Sequence, residues 1–421
     1  MMIPTKQKSK KLTKEEINSF ISNLNSIKDE EIIDWLKAVK EHGLDDEETS
    51  HLTLAMAKSG TILSWEGLEP TIDKHSSGGI GDKITLLFAP LVAAYGINIP
   101  KLSGRGLEIS GGTIDKLESI SDFNTNLSID QMKKQIQEIG IAISSTTKDL
   151  APADKKLYAI RDITGTVDSI PLIASSIMSK KFAGGSKNII LDVKTGSGAF
   201  LKELSESKKL AYTMVSIGKK LNKNIKALVT DMSQPLGFKI GNGLEIEEVL
   251  EVLSGKDIFD LTELVILLAI EAITLINPNP EFNLEEKLRK ILLQGSALQK
   301  FKEMVKAQKG DLEKGLPKAK HIEVIKSTSS GFIGNIDAYC IGKVVHMLGA
   351  GRTKTTDSID HSVGITLIKK AGEGVRENEP ILEIHAKNKE DATKARVMLE
   401  SSIKIGHNKP AKSKLIHEIV K

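Results

Sequence analysis

The stretch Lys101-Leu-Ser-Gly-Arg-Gly-Leu-Glu-Ile-Ser-Gly-Gly-Thr-Ile-Asp-Lys-Leu-Glu118 decides the reading of this chain. Four glycines, Gly104, Gly106, Gly111 and Gly112, stand among Ser103, Ser110, Thr113, Lys101 and Arg105. Glycine lets backbone amides approach an anion closely, hydroxyls donate hydrogen bonds, and lysine adds charge. A second cluster lies upstream, Asp73-Lys-His-Ser-Ser-Gly-Gly-Ile-Gly-Asp-Lys-Ile-Thr85. One glycine-rich loop is usually an ordinary turn. Two of them, each with a lysine and hydroxyls, predict an oxyanion cradle suited to phosphate.

The flanking segments give these loops a setting. Ile97 to Leu102 reads as a short strand entering the second loop, and Ile84 to Tyr95 as an apolar helix leaving the first. Strand, glycine loop, helix, strand is the pattern of an open α/β sheet, which binds ligands at its strand carboxyl ends. Downstream, Pro171 to Phe182 reads as a helix ended by Gly184 and Gly185. Ile189 to Val193 and Asn224 to Asp231 read as strands, and Asp260 to Ile276 as a helix. Residues 12–64 read as helical. Thr13 to Glu16 forms a capping box ahead of Ile17, Phe20, Ile21 and Leu24, and Asp45 to Glu48 opens a further helix. Lys309 to Lys320 reads as a charged linker, with short strands beyond it around Ile333, Ile365 and Ile384. Gly372 to Pro380 looks like the turn of a small biotinyl-like barrel, but no Met-Lys-Met setting supports a carrier role.

Composition narrows the function. A chain of 421 residues can bury a large core and form two or three domains. A net charge of +4, from 59 basic and 55 acidic residues, gives no nucleic-acid footprint. The basic start lacks an apolar core, and Leu264 to Ile276 is too short to span a bilayer and contains Glu271. Cys340 is the only cysteine, which fits a reducing cytoplasm, and the nine histidines show no metal-ligand spacing. The expected location is therefore the cytoplasm, with no membrane or nucleic-acid partner and no metal site.

Ser176 and Lys180 stand four residues apart on the helix that Pro171 opens, so they share a face. With Arg161 they can present donors to a planar base, or they can simply form an exposed basic surface. His75 is the only histidine near either loop. A histidine can change charge near neutral pH, or it can serve a structural role beside Lys74 and Ser76.

Residues 103–118 resemble the signature of the thymidine and pyrimidine-nucleoside phosphorylases, Ser-Gly-Arg-Gly-Leu-Gly-His-Thr-Gly-Gly-Thr-x-Asp-Lys-x-Glu. The chain departs from it at Glu108, Ile109 and Ser110, and Ile109 replaces the signature's histidine. Residues 73–86, 150–177, 192–200 and 231–245 also resemble family segments; the first 60 residues resemble them least. The resemblance implies an α/β fold with an all-helical domain (1–66 plus 154–186) facing a larger open-sheet, phosphate-binding domain (67–153 plus 187–320) across a cleft. A small C-terminal α+β, barrel-like domain (321–421) follows. It implies phosphate binding by Lys74, Ser76, Thr85, Lys101, Ser103 and Thr113. It implies base binding by Arg161, Ser176 and Lys180, with Leu107, Val167 and Phe200 as apolar walls, and catalytic roles for His75, Arg161 and Lys180.

The implied reaction is phosphorolysis of thymidine, deoxyuridine or uridine to free base and pentose 1-phosphate by a homodimer. No organic cofactor is implied, and inorganic phosphate is a substrate. Bacterial relatives look as if they hold a monovalent cation at positions matching 83, 236, 239 and 248. Here Lys83 and Lys239 stand beside Leu236 and Glu248. An ammonium group paired with Glu248 would make potassium redundant, and like-charge repulsion favours that arrangement, whereas backbone ligands alone would leave room for the ion. Two alternatives remain at this point. One is an anthranilate-type phosphoribosyltransferase, which needs an acidic magnesium motif that the loops lack; the other is a non-catalytic nucleotide- or phosphate-binding protein.

Overall fold

The computed structural model describes residues 4–7, 10–106, 109, 111–147, 149–352, 357–399 and 402–421. Parallel strands Ile72–Ser76, Asn188–Thr195 and Asn224–Asp231 lie side by side in that order. A second parallel pair, Ile99–Ser103 with Ile141–Ser145, joins them through the bridge between Thr71 and Asn98. The Asn188–Thr195 strand is buried along its whole length, because helices cover both faces of the sheet. Successive strand residues point to opposite sides. Ile190 and Leu228 enter the core made with helices Ile84–Tyr95 and Phe259–Ile276, whereas Ile189, Leu191 and Val193 pack toward helix Leu204–Lys220. The architecture is the mixed α/β one expected.

Helices Lys14–Ser22, Asp29–His42 and Asp46–Lys58 share one apolar core with Ala153, Leu157, Ile160 and Leu172 from a later part of the chain. Thr13 and Asp45 each cap a helix start with a reciprocal bond from the glutamate three residues on, Glu16 and Glu48. The later residues belong to helices Pro152–Thr164 and Ile170–Ala183.

Past residue 320 the chain forms two small antiparallel sheets with helices Ala338–Val345 and Lys389–Leu399. Its expected boundaries are crossed twice. Lys239–Ile240 pairs with Gly364–Leu367, and the final strand, Ile416–Val420, returns to pair antiparallel with Asn224–Asp231. That return covers an otherwise open edge of the main sheet. Among the described residues, no helix is long and apolar enough to cross a membrane.

Candidate active site

Both glycine segments leave the carboxyl ends of parallel strands, Ile72–Ser76 and Ile99–Ser103. They form one wall of a cavity of about 720 Å³; helices Pro152–Thr164 and Ile170–Ala183 supply the facing wall. His75, Ser76, Thr85, Lys101, Ser103 and Thr113 line the first wall. Arg161, Val167, Ser176 and Lys180 line the second, and Phe200, 54% exposed, stands at the rim. Lys74 does not line the cavity. Leu107, Glu108 and Ser110 lie outside the described residues.

Local geometry explains the glycines. A Cβ on Gly112 would lie 2.1 Å from Gly106 N, so the two ends of the signature loop touch backbone to backbone. Buried Asp115 holds them together, accepting from Gly106 N at 2.6 Å and Gly112 N at 3.2 Å. Arg105 and Arg352 both point at its other oxygen. Lys116 ties the two loops, reaching Asp82 O at 2.7 Å and Glu245 Oε2 at 2.8 Å. Asp115 and Lys116 thus build the loops.

Beneath the cavity lies a charged layer. Lys74 Nζ and Lys194 Nζ stand 3.0 and 2.8 Å from Asp192 Oδ2, and the Thr230 hydroxyl donates to Asp192 Oδ1 at 2.6 Å. Lys101 and Lys181 flank Asp73 at 3.2 and 2.7 Å. The Ser76 hydroxyl donates to Asp82. Burial works against the charged form of Asp82, but Lys194, Lys74 and Lys116 outweigh it and hold its pKa below the usual carboxylate range. Lys74, Lys101, Lys181 and Lys194 meet Asp73, Asp82 and Asp192 here, Lys116 being paired with Glu245, so an anion that keeps Lys101 charged is the natural complement. Burial pushes Lys101 down to about 7, with Asp73 opposing.

His75 departs from the role expected of it. Burial, together with the charges of Lys181, Lys101, Lys74 and Lys180, pushes its pKa well below 6.5. Without a bound anion these neighbours disfavour the imidazolium; a bound phosphate dianion works in the other direction. Its Nε2 has no hydrogen-bond partner among the described residues, so it remains available to a ligand. As a neutral ring it can still donate one N–H bond.

On the facing wall, Lys180 Nζ lies 3.0 Å from Ser176 Oγ, as their four-residue spacing predicts, and also contacts Asp154 at 2.5 Å. Arg161 donates to Leu172 O at 3.0 Å and Val167 O at 2.9 Å. Each terminal nitrogen carries a second N–H, so the anchored guanidinium can still present donors. Sequence reasoning missed Asp154, Lys181, Asp192 and Lys194, whose pairings join distant segments.

The expected cation position holds an ammonium group. Lys83 Nζ donates to Leu236 O at 3.1 Å, to Lys239 O at 2.7 Å and to Glu248 Oε2 at 2.5 Å, fully buried. The ammonium thus takes the two carbonyl oxygens and the carboxylate oxygen at that position. Among the described residues, no three His, Cys, Asp or Glu side chains gather as a metal site.

Residues 68–298 match the model of the glycosyl transferase family α/β domain, and residues 332–406 match the pyrimidine nucleoside phosphorylase C-terminal domain. The chain is 45% identical over 428 residues to a pyrimidine-nucleoside phosphorylase of Staphylococcus haemolyticus (strain JCSC1435), covering 100% of this chain and 98% of that protein. It is 43% identical over 431 residues to the enzyme of the same name from Staphylococcus aureus (strain USA300), with the same coverage. The fold is similar to that of anthranilate phosphoribosyltransferase from Thermus thermophilus, with a TM-score of 0.56, 17% identity, and coverage of 72% of this chain and 97% of that one. At that identity the likeness speaks for the fold alone. The full-length identity and the two matched domains establish that the chain belongs to the pyrimidine-nucleoside phosphorylase family.

Proposed function

We propose that this chain catalyses phosphorolysis of pyrimidine nucleosides, with inorganic phosphate as the attacking substrate. One observation carries the reading: a cavity with an anion-complementary wall of two glycine loops faces Arg161, Ser176 and Lys180. Phosphate held by Ser76, Thr85, Lys101, Ser103 and Thr113 attacks C1′ of the nucleoside. The glycosidic C–N bond breaks and its electron pair leaves with the base; the new C–O bond gives the pentose 1-phosphate, and the proton that hydrogen phosphate sheds ends on the base nitrogen, giving the neutral free base. Positive charge develops on the sugar beside the phosphate dianion; negative charge develops on the base beside Arg161 and Lys180. Neutral His75 donates a hydrogen bond to the departing base. Val167 and Phe200 pack against its ring, and closure of the cleft brings the two walls into reach.

The same reading takes the protein as a cytoplasmic homodimer with the three domains set out from the sequence, the final strand being shared with the sheet. It takes the reaction as independent of organic cofactors and of potassium, because the Lys83 ammonium fills the oxygen cage. The test is release of free base from thymidine, deoxyuridine and uridine with and without phosphate. Release only in phosphate supports the proposal. Equal release without it indicates a hydrolase, and no release from any of the three overturns it.

A further inference from the structure

The signature loop is held partly from the C-terminal end of the chain. The buried Asp115 side chain accepts from Gly106 N and Gly112 N through Oδ2 and meets two arginines through Oδ1. The two arginines are unequal. Arg105 stands 3.5 Å away, is 42% exposed and gives its fork to Glu118, with Nη2 at 2.6 Å from Oε1. Arg352 contacts Asp115 directly and is 11% exposed. Its Nε donates to Asp357 O at 3.2 Å, which helps to fix the guanidinium plane. The chain beside it is clamped as well, because Asn242 Nδ2 donates to Ala350 O at 2.9 Å. Asn242 opens helix Asn242–Leu253, whose Glu245 holds Lys116. Asn242 also closes on the loop: a Cβ on Gly111 would lie 3.2 Å from its Oδ1. Helix Ala338–Val345 presses on both glycine loops, since a Cβ on Gly342 would lie 2.4 Å from Ile80 Cδ1 and 3.4 Å from Ile109 Cβ.

We infer that Arg352 is a positioning residue for phosphate: it fixes the Asp115 carboxylate, and through it the two ends of the loop that carries Ser103 and Thr113. Arg352 does not line the cavity, so it acts through Asp115 rather than on the anion. A carboxylate buried this deeply needs a counter-charge and satisfied oxygens. Gly106 N and Gly112 N satisfy one oxygen; Arg352 supplies charge and a directed donor at the other. Without Arg352, the guanidinium left at that oxygen is Arg105, at a long contact and already engaged by Glu118. The carboxylate then draws Arg105 inward or turns toward water, and either movement loosens its grip on Gly106 and Gly112. Ser103 and Thr113 flank that span of chain, so their hydroxyls lose their fixed placement. The loss falls on phosphate, because Arg161, Ser176 and Lys180 stand on helices across the cavity. The C-terminal domain is thereby a working part of the phosphate wall. The inference rests on the phosphate-binding reading proposed above.

The experiment measures binding of inorganic phosphate and of thymidine to the full chain by calorimetry, and then the two KM values. Arg352→Ala should weaken phosphate binding and raise KM for phosphate by roughly tenfold, the scale seen when a partner that orients a site's direct ligands is lost. Binding and KM for thymidine should stay near the native values. Arg352→Lys keeps the charge but not the fork, so its phosphate affinity should fall between the two. Added guanidinium chloride, against equal sodium chloride, should restore phosphate affinity to Arg352→Ala and leave the native protein unchanged. Arg352→Ala with Asp115→Asn removes the unpaired charge but keeps an acceptor for the two glycine amides. It should bind phosphate more tightly than Arg352→Ala alone. Native phosphate affinity in folded Arg352→Ala overturns the inference, as it does in Arg352→Lys if the alanine variant does not fold. An equal loss toward thymidine and phosphate also overturns it, because that marks general damage. If Arg352→Ala loses phosphate affinity but the native protein releases base from no nucleoside, the positioning role stands and the proposed reaction fails. A native protein that binds no phosphate overturns both.

Discussion

Lys74 Nζ lies 3.0 Å from Asp192 Oδ2, and both side chains are buried beneath the first glycine loop. The lysine expected to touch phosphate therefore sits one layer behind the cavity in this structure. It balances a carboxylate and lends the loop its field.

That placement predicts a stability effect. Lys74→Met leaves Asp192 with Lys194 and Thr230 as partners. Removing one member of a buried ion pair costs about 3–5 kcal/mol, and the surviving partners place this case near the lower end. Urea unfolding should show it. Wild-type stability with only a raised KM for phosphate would make Lys74 a free ligand.

Lys180 and Arg161 should separate catalysis from folding. Lys180 is about one-third exposed, but its partner Asp154 is buried, so Lys180→Ala should cost some stability, less than Arg161→Ala. A hydrogen bond to a charged group contributes about 1.5–3 kcal/mol, so kcat should fall roughly ten- to a few hundredfold. Arg161→Ala should lose activity and stability together, because the guanidinium also holds Leu172 O and Val167 O. Steady-state kinetics with thermal melts will decide. Unchanged kinetics in a folded variant removes that residue from the site.

His75→Asn should reduce kcat while leaving the shape of the pH profile around neutrality unchanged, because burial and the neighbouring lysines hold the native imidazole well below its ordinary range. An enzyme limb near pH 6.5 that disappears in the variant would restore the imidazolium role read from the sequence.

Lys101 sets a pH dependence of its own. With its pKa pushed down to about 7, it loses its charge in the free protein as pH rises through 7. A bound dianion favours the charged form, so at about pH 8, where free phosphate is already mostly the dianion, binding should take up a proton and weaken as pH rises further. Calorimetry in buffers of different ionisation heat measures that uptake, which should vanish in Lys101→Met. The stability sign is opposite. The unfolded chain binds this proton more tightly between pH 7 and 10.5, so the lysine's contribution to stability rises with pH across that window. Phosphate binding at about pH 8 that takes up no proton, or the same uptake in Lys101→Met, would contradict the assignment.

Much of the framework was legible because it is local. The helix Ile84–Tyr95 and the strand Asn224–Asp231 fall where apolar runs and flanking glycines place them. Thr13 and Asp45 mark helix starts by side-chain chemistry alone. Ser176 and Lys180 follow from helical spacing. The pairing of Lys83 with Glu248 was one of two arrangements that the family resemblance implied there, and it is the one formed. What escaped depends on topology. Asp192 meets Lys74 only because parallel strands bring residues more than a hundred apart into register. Ile416–Val420 looks like part of the C-terminal domain until it returns to the main sheet. The state of His75 depends on Lys180 and Lys181, which a helix brings across the cleft.

The central claim is that phosphate, not water, attacks C1′. Phosphate fully labelled with oxygen-18 should be incubated with thymidine and followed by phosphorus NMR. The account predicts a pentose 1-phosphate signal that keeps all four labelled oxygens, growing in step with free thymine. Free sugar beside unchanged inorganic phosphate would contradict it.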